Sequence, residues 1–262
     1  MHREQLQRLR KNINRVIVGK EEVTELLLTA LLAPGNCLID DVPGVGKTKL
    51  ANALARSLGI DFKRIQFTPD LQPADITGIY FYNQKEGEFQ FRPGPVFTNI
   101  LLADEINRAV PRTQSSLLEA MEEQQVSIEG TIFRLAAPFM VIATQNPLEL
   151  EGTFPLPEAQ LDRFLLKIEM GYPSLEQEAQ ILARFKEADP METLEPVLDG
   201  KAILQLREAV KQVRLSPDLM DYIARLSQAT RENSDISLGL SPRGSLALMR
   251  SALAYQAEHK HD

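Results

Sequence analysis

The chain has 262 residues, 44% of them hydrophobic, with a formal net charge of −7 and a single cysteine. That is enough apolar material for one large core, or for a core with a smaller companion domain. The acidic balance argues against a general nucleic-acid grip while leaving room for a local basic channel, and one cysteine excludes an internal disulfide, so a reducing, cytoplasmic setting is expected. No apolar run approaches the ~20 residues that span a bilayer, and the opening MHREQLQRLRKN lacks the apolar centre of an export signal. The three histidines, His2, His259 and His261, lie at the ends of the chain. The His259-x-His261 spacing suits a metal or a solvated tail; without further ligands the tail is expected.

In chain order, the first strand-length apolar run is Cys37–Ile39, with Cys37 expected as a buried filler. It leads into DVPGVGKTKLA at 41–51, which reads as a strand end, a glycine-rich loop and a helix start. Glycines let backbone N–H groups turn towards an anion, and the following helix offers its positive dipole end. Pro43, Gly44, Val45, Gly46 and Lys49 complete this cradle around Lys47, which would reach the β- and γ-phosphates, and Thr48, whose hydroxyl would hold a magnesium ion. The general pattern GxxxxGK(S/T) has Asp41 in place of its first glycine. Asp40 and Asp41 either tune phosphate release or are simply solvated; the sequence favours neither.

Further strands are expected at Phe62–Phe67, Ile100–Ala103, Phe139–Thr144 and Phe164–Ile168, with helices at Lys47–Leu58 and Arg112–Gln124. The unbroken apolar character of the third and fourth strands fits burial on both faces, as in a parallel sheet between helices. The alternation predicts a three-layer α/β domain with ligands at the carboxyl ends of the strands.

Asp104 and Glu105 close the third strand. Asp104 suits a magnesium shell, and Glu105 can polarise a water aimed at a γ-phosphate. Asn146, in ATQNP just past the fourth strand, either orients that water or serves an Asn-Pro turn. Arg163 precedes the fifth strand; it either pairs with a carboxylate such as Asp162 or enters a neighbouring subunit's site as a finger.

After Gly171-Tyr172-Pro173 the periodicity is helical throughout. Ser174 with Gln177 forms a capping box, a helix is expected over Ala202–Val213, and Ser216-Pro217 and Ser241-Pro242 pair an N-cap serine with proline at the first helical position. Residues 1–171 therefore form the α/β unit and 172–262 a four-helix unit, with a loop at Ala188–Gly200. Arg243 lies in the first turn of the last helix, where a cation is disfavoured unless an anion such as a γ-phosphate or a carboxylate is near.

The order of these motifs resembles the AAA+ ATPases, and the phrases LIDDVPGVGKT, DEINRA, ATQNP and EAQLDRF look like the MoxR family of that superfamily. The resemblance implies a five-stranded parallel sheet of order 5-1-4-3-2, a helical lid, ATP and Mg2+ as ligands and assembly into hexameric rings. It assigns Lys47, Thr48, Asp104, Glu105, Asn146, Arg163 and Arg243 the roles above, with Arg243 drawing the lid onto the core. It also makes Val18-Gly19 part of a linker against adenine, and finds an acidic residue at 41 in keeping with the family. Chains of this kind commonly continue past the last lid helix, whereas this one stops at Asp262, so the resemblance leaves open whether it is a piece of a longer chain.

Residues 80–97 hold six aromatics (Tyr80, Phe81, Tyr82, Phe89, Phe91 and Phe97) and read as a hairpin turning near Gly87. Val126–Leu135 reads as a second, turning at Glu129-Gly130. They resemble the extra hairpins of AAA+ branches that include MoxR proteins, and either touch a substrate in a ring pore or pack on their own domain. The leading expectation is a chaperone-like ATP-driven remodeller of proteins; by resemblance, partners with von Willebrand factor A domains and metal or cofactor insertion come into view. A nucleic-acid motor is the alternative, although the second hairpin carries only Arg134 against Glu129 where a strand-tracking loop should be basic. A non-hydrolysing adaptor has no need of Glu105 and Asn146.

Overall fold

The computed structural model describes residues 2–147, 152–186 and 188–259. Helices α1 (His2–Ile13) and α2 (Glu21–Leu32) precede β1 (Cys37–Asp40), followed by α3 (Lys47–Ser57), β2 (Phe62–Gln66) and the short α4 (Pro73–Thr77). A hairpin of β3 (Gly78–Asn83) and β4 (Glu88–Pro93) leads to β5 (Ile100–Asp104), a single 3-10 turn (Ile106–Arg108) and α5 (Pro111–Glu123). A second hairpin, β6 (Gln125–Ile128) and β7 (Thr131–Arg134), precedes β8 (Met140–Gln145), α6 (Glu158–Leu161) and β9 (Leu166–Ile168). Four helices follow: α7 (Leu175–Phe185), α8 (Gly200–Lys211), α9 (Pro217–Glu232) and α10 (Pro242–His259).

Strands β1, β2, β5, β8 and β9 form one parallel sheet in the order β2-β5-β8-β1-β9. Counted among themselves in chain order, these five run 5-1-4-3-2, as the resemblance implied. Successive strand residues feed opposite faces, because side chains alternate across a strand. Cys37, Ile39, Ile100, Leu102, Met140 and Ile142 join one apolar cluster with α1, α2 and α3. Leu38, Leu101, Ala103, Val141 and Ala143 join the other, with Leu117, Leu118 and Met121 of α5. The sheet is thus the middle of three layers. Burial pushes the Cys37 thiol well above its usual range, as befits a filler.

The caps sit where serine chemistry places them. Ser174 Oγ accepts the Gln177 N–H while the Gln177 side chain returns to the Ser174 N–H. Ser216 caps α9 through the Leu219 N–H, and Ser241 Oγ accepts the Gly244 N–H. Element boundaries differ from expectation by one or two residues, and two of the larger shifts have a plain cause. Phe164 is not in a strand, because its N–H returns to the Leu161 carbonyl to finish the turn after α6. Helix α8 starts two residues before Ala202, because Asp199 accepts the Ala202 N–H as an N-cap.

Helices α8 and α10 do not stand apart from the rest. Ile203, Leu206, Val210 and Ala254 enter the same cluster as α1–α3. Helix α7 buries no residue fully, and α9 buries only Ser227. The hairpins divide their aromatics: Tyr80, Phe91 and Phe97 pack inward, with Phe91 stacked on Phe133 of the second hairpin at 4.5 Å. Tyr82 and Phe89, paired across the tip, are 53% and 70% exposed.

His259 is tied down, in contrast to the solvated tail expected of it. Its Nε2 lies 3.0 Å from Glu25 Oε1 and its ring stacks on Tyr255; His261 lies outside the described residues. Glu258 is buried beside Glu25, and burial, reinforced by that like charge, raises its pKa to about 8. Folding therefore takes up a proton between the unfolded carboxyl pKa and about 8, and stability should fall as pH rises through that window. Urea unfolding between about pH 5 and 8 should show a loss on the order of a few kcal/mol that Glu258→Gln largely removes. A flat wild-type profile would contradict this assignment.

Candidate nucleotide site

The carboxyl ends of β1, β5 and β8 open into a cavity of about 570 Å³, the size of a small-ligand site. Its floor is the loop 43–49. Gly44 and Gly46 hold φ of 87° and 99°, a left-handed backbone that glycine takes without strain. A Cβ at either would meet nothing within 4 Å, so backbone conformation, not space, selects glycine here. Gly46 is also the N-cap of α3, and no side chain caps that helix, whose first N–H groups stay available to an anion.

Lys47 Nζ donates to the Asp41 carbonyl oxygen at 2.8 Å. Burial lowers its pKa, outweighing the attraction of Asp104, Asp41, Glu105 and Asp40. Neither acidic residue before the loop is solvated. Asp40 Oδ2 pairs with Lys167 Nζ at 2.5 Å. Asp41 is buried; its Oδ2 accepts the N–H groups of Met170 and Gly171 at 2.6 Å each, and its Oδ1 that of Val42 at 2.7 Å.

Asp104 and Glu105 share a hub in the Thr144 hydroxyl, which donates to Asp104 Oδ1 at 2.6 Å and accepts the Glu105 N–H at 2.9 Å. Glu105 sits at φ 56°, an uncommon conformation for a residue with a side chain and one that clusters at functional sites. Its Oε2 accepts Gln66 Nε2 at 2.6 Å and Arg108 Nη1 at 3.0 Å. Asp104 Oδ2 accepts Arg64 Nε and Nη2 at 3.0 and 2.6 Å. Asn146 lines the same cavity, two residues beyond Thr144.

The other end of the cavity is apolar: Val16, Ile17 and Val18 on one side, Pro173, Ile181 and Phe185 on the other. Gly19 has φ 67°, a conformation that favours glycine, and a Cβ there would meet the Gln177 side chain at 2.2 Å, so a larger residue would strain the backbone and displace that side chain. Lys49 borders the cavity, but its ammonium pairs with Asp189 at 2.5 Å and stands over the Phe185 ring.

Arg163 and Arg243 lie outside the cavity, Arg163 on a carboxylate, which is one of the two readings the sequence left open. Arg163 Nη1 pairs with Glu122 at 2.5 Å, and Arg243 pairs with the other oxygen of the same carboxylate. Neither arginine lines the cavity. Asp162 partners not Arg163 but the Ser241 hydroxyl, at 3.0 and 2.8 Å, which pins the start of α10 to this spot. The expected reach of Arg243 into its own subunit's pocket is therefore replaced by a two-arginine cluster on Glu122. Sequence reasoning missed Arg64 and Gln66, although polar residues alternating with Ile65 at the end of a core strand were a legible signal. Phe185 and Thr144 gave none.

Comparison with known proteins places this geometry among relatives. Residues 36–166 match the family described as "ATPase family associated with various cellular activities (AAA)". The uncharacterized protein YeaC of Bacillus subtilis is 55% identical over 96% of this chain and 79% of its own length. "Chaperone MoxR1" of Mycobacterium tuberculosis is 44% identical over 94% of the chain and 67% of its own length. The crystal structure of a putative ATPase from Cytophaga hutchinsonii superposes with a TM-score of 0.91 at 39% identity, covering 98% of this chain and 81% of that one.

Arg64 neutralises the carboxylate best placed to hold a divalent cation. Arg64→Ala should therefore tighten Mn2+ binding in the presence of ADP by about threefold to tenfold, read by electron paramagnetic resonance. Unchanged or weaker Mn2+ binding would show that the pair does not compete with the cation.

Proposed function

Because this chain belongs to the MoxR family of AAA+ ATPases, we propose that it hydrolyses ATP in a Mg2+-dependent reaction, as a ring oligomer, to remodel partner proteins in a chaperone-like way. The observation that carries the reading is the convergence of Lys47, Asp104 and Glu105 on one cavity with an uncapped helix N-terminus. Thr48 and Asp104 offer the hard oxygen ligands magnesium prefers, and the bound ion would neutralise charge on the phosphates. Lys47 exchanges the Asp41 carbonyl for phosphate oxygens. Glu105 polarises the attacking water and Asn146 orients it, which separates an ATPase from a nucleotide-gated adaptor. The base lies against Val16–Val18, Ile181 and Phe185, with residues 172–262 acting as the lid.

Arg163 and Arg243 stand together, partly exposed, on a carboxylate outside the cavity. We assign both to a neighbouring subunit's γ-phosphate, with Glu122 holding them in readiness; a finger of this kind is worth on the order of 10³–10⁵ in rate. A hexameric ring supplies such neighbours. The exposed pair Tyr82 and Phe89 at the hairpin tip suits a protein client better than a nucleic acid, since the turn beside it carries Glu86 and Glu88 against Lys85. Partners with von Willebrand factor A domains, and maturation steps such as metal or cofactor insertion, are the client classes the family suggests.

Lys47→Ala should abolish ATP binding measured by calorimetry. Glu105→Gln should bind ATP with near wild-type affinity yet slow its hydrolysis by about 10²-fold or more. Normal turnover by Glu105→Gln would remove that residue from its role, and tight, salt-sensitive DNA binding would favour the nucleic-acid motor instead.

A further inference from the structure

The joint between β9 and α7 is held from both ends of the nucleotide cavity. At the phosphate end, the buried Asp41 carboxylate takes the N–H groups of Met170 and Gly171 on one oxygen, 2.6 Å each. At the base end, Lys20 Nζ donates to the carbonyls of Met170 and Tyr172 at 2.5 and 3.2 Å. Two amides and two carbonyls of a three-residue hinge are thereby engaged by one carboxylate and one ammonium. Gly171 takes φ 64° there, which lets the chain turn sharply between the two groups. A glycine at 41, as in the general phosphate-loop pattern, offers no side-chain acceptor for these amides.

Asp41 also touches the phosphate machinery directly, because its carbonyl oxygen is the acceptor for Lys47 Nζ. Loading the loop draws Lys47 towards phosphate and so away from Asp41. Beyond the joint, α7 returns over the cavity: Ile181 and Phe185 line it, Gln177 donates to the Gly19 carbonyl at 3.2 Å, and Arg184 donates to the Asn14 and Arg15 carbonyls at 2.9 and 2.7 Å. A change in how the joint is held at its phosphate end therefore alters the angle at which α7 closes on the base.

We propose that Asp41 is a positioning residue that couples occupancy of the phosphate loop to the set of α7. Its backbone carbonyl senses Lys47, and its carboxylate fixes the Met170–Gly171 amides. The proposal rests on the nucleotide reading above and adds the route by which that site moves the helical segment. Among the described acidic residues near the loop, Asp41 alone reaches this joint; Asp40 is committed to Lys167.

Hydrogen exchange read by mass spectrometry, with and without Mg2+ and ADP, tests it on the wild type, Asp41→Asn and Asp41→Gly. In the wild type, ADP should slow exchange both in the loop around 42–50 and across the joint and α7, 168–186. In Asp41→Gly, ADP should still protect the loop, while the response of the joint and α7 is lost; Asp41→Asn, which keeps one acceptor, should be intermediate. The rate kcat should fall about tenfold with the KM for ATP changed less than about threefold, a split that a merely unstable loop would not give. An equal joint response in wild type and Asp41→Gly would overturn the proposal. So would a wild-type joint indifferent to ADP while the loop is protected, and that result needs no variant to fold. Absence of protection anywhere in the wild type would overturn the nucleotide reading itself, and the coupling with it.

Discussion

The seating of β8 between β1 and β5 is the constraint on which the rest of the molecule depends. In parallel register, Leu38 lies beside Ala143 and Leu101 beside Val141, which brings the ends of three strands to one edge. A sheet covered on both faces can place polar chemistry only at such ends. Thr144 then falls where its hydroxyl bridges Asp104 and the Glu105 backbone. The loop leaving β1 opens beside them. Slipping β8 by one residue would turn Thr144 and the alternating apolar set to the wrong faces, so core packing and site geometry are one specification.

A second theme is that most charged groups of the site already have partners. Arg64 covers Asp104, Gln66 and Arg108 hold Glu105, and Asp41 receives Lys47 through its carbonyl. Partly buried charges need such satisfaction, or their desolvation would cost too much. In the proposed cycle Lys47 exchanges the Asp41 carbonyl for phosphate and Asp104 exchanges Arg64 for the metal, so the site is preorganised and gated by the same groups. Glu122 does the equivalent for Arg163 and Arg243 on the outer face, where like charges would otherwise repel.

Much of this was legible in the sequence because the signals were local. The phosphate loop, the apolar run ending in Asp104-Glu105, the two hairpin turns and the serine caps each lie within a few residues, and each formed where expected. Partners distant in sequence were not legible. Asp41 meets amides 129 and 130 residues away, and a single chain gives no hint of it. Arg243 lies in a first helical turn in need of an anion, as the sequence indicates, but whether that anion is a phosphate or Glu122 depends on how α10 docks through Ser241 and Asp162. The aromatic hairpin was ambiguous for a similar reason: Tyr80 and Tyr82 share a face, but Tyr80 packs on Phe91, which stacks on the distant Phe133, whereas Tyr82 pairs with Phe89 at the exposed tip.

The central claim is a hydrolytic site completed by the arginines of a neighbouring copy. Mixing two inactive variants tests it most directly. Lys47→Ala subunits keep Arg163 but lose their own phosphate grip, and Arg163→Ala subunits keep the phosphate grip but lose the arginine. If the site is shared, ATP hydrolysis should return on mixing, most strongly at protein concentrations that favour assembly. A mixture no more active than its components at any concentration would contradict the shared site.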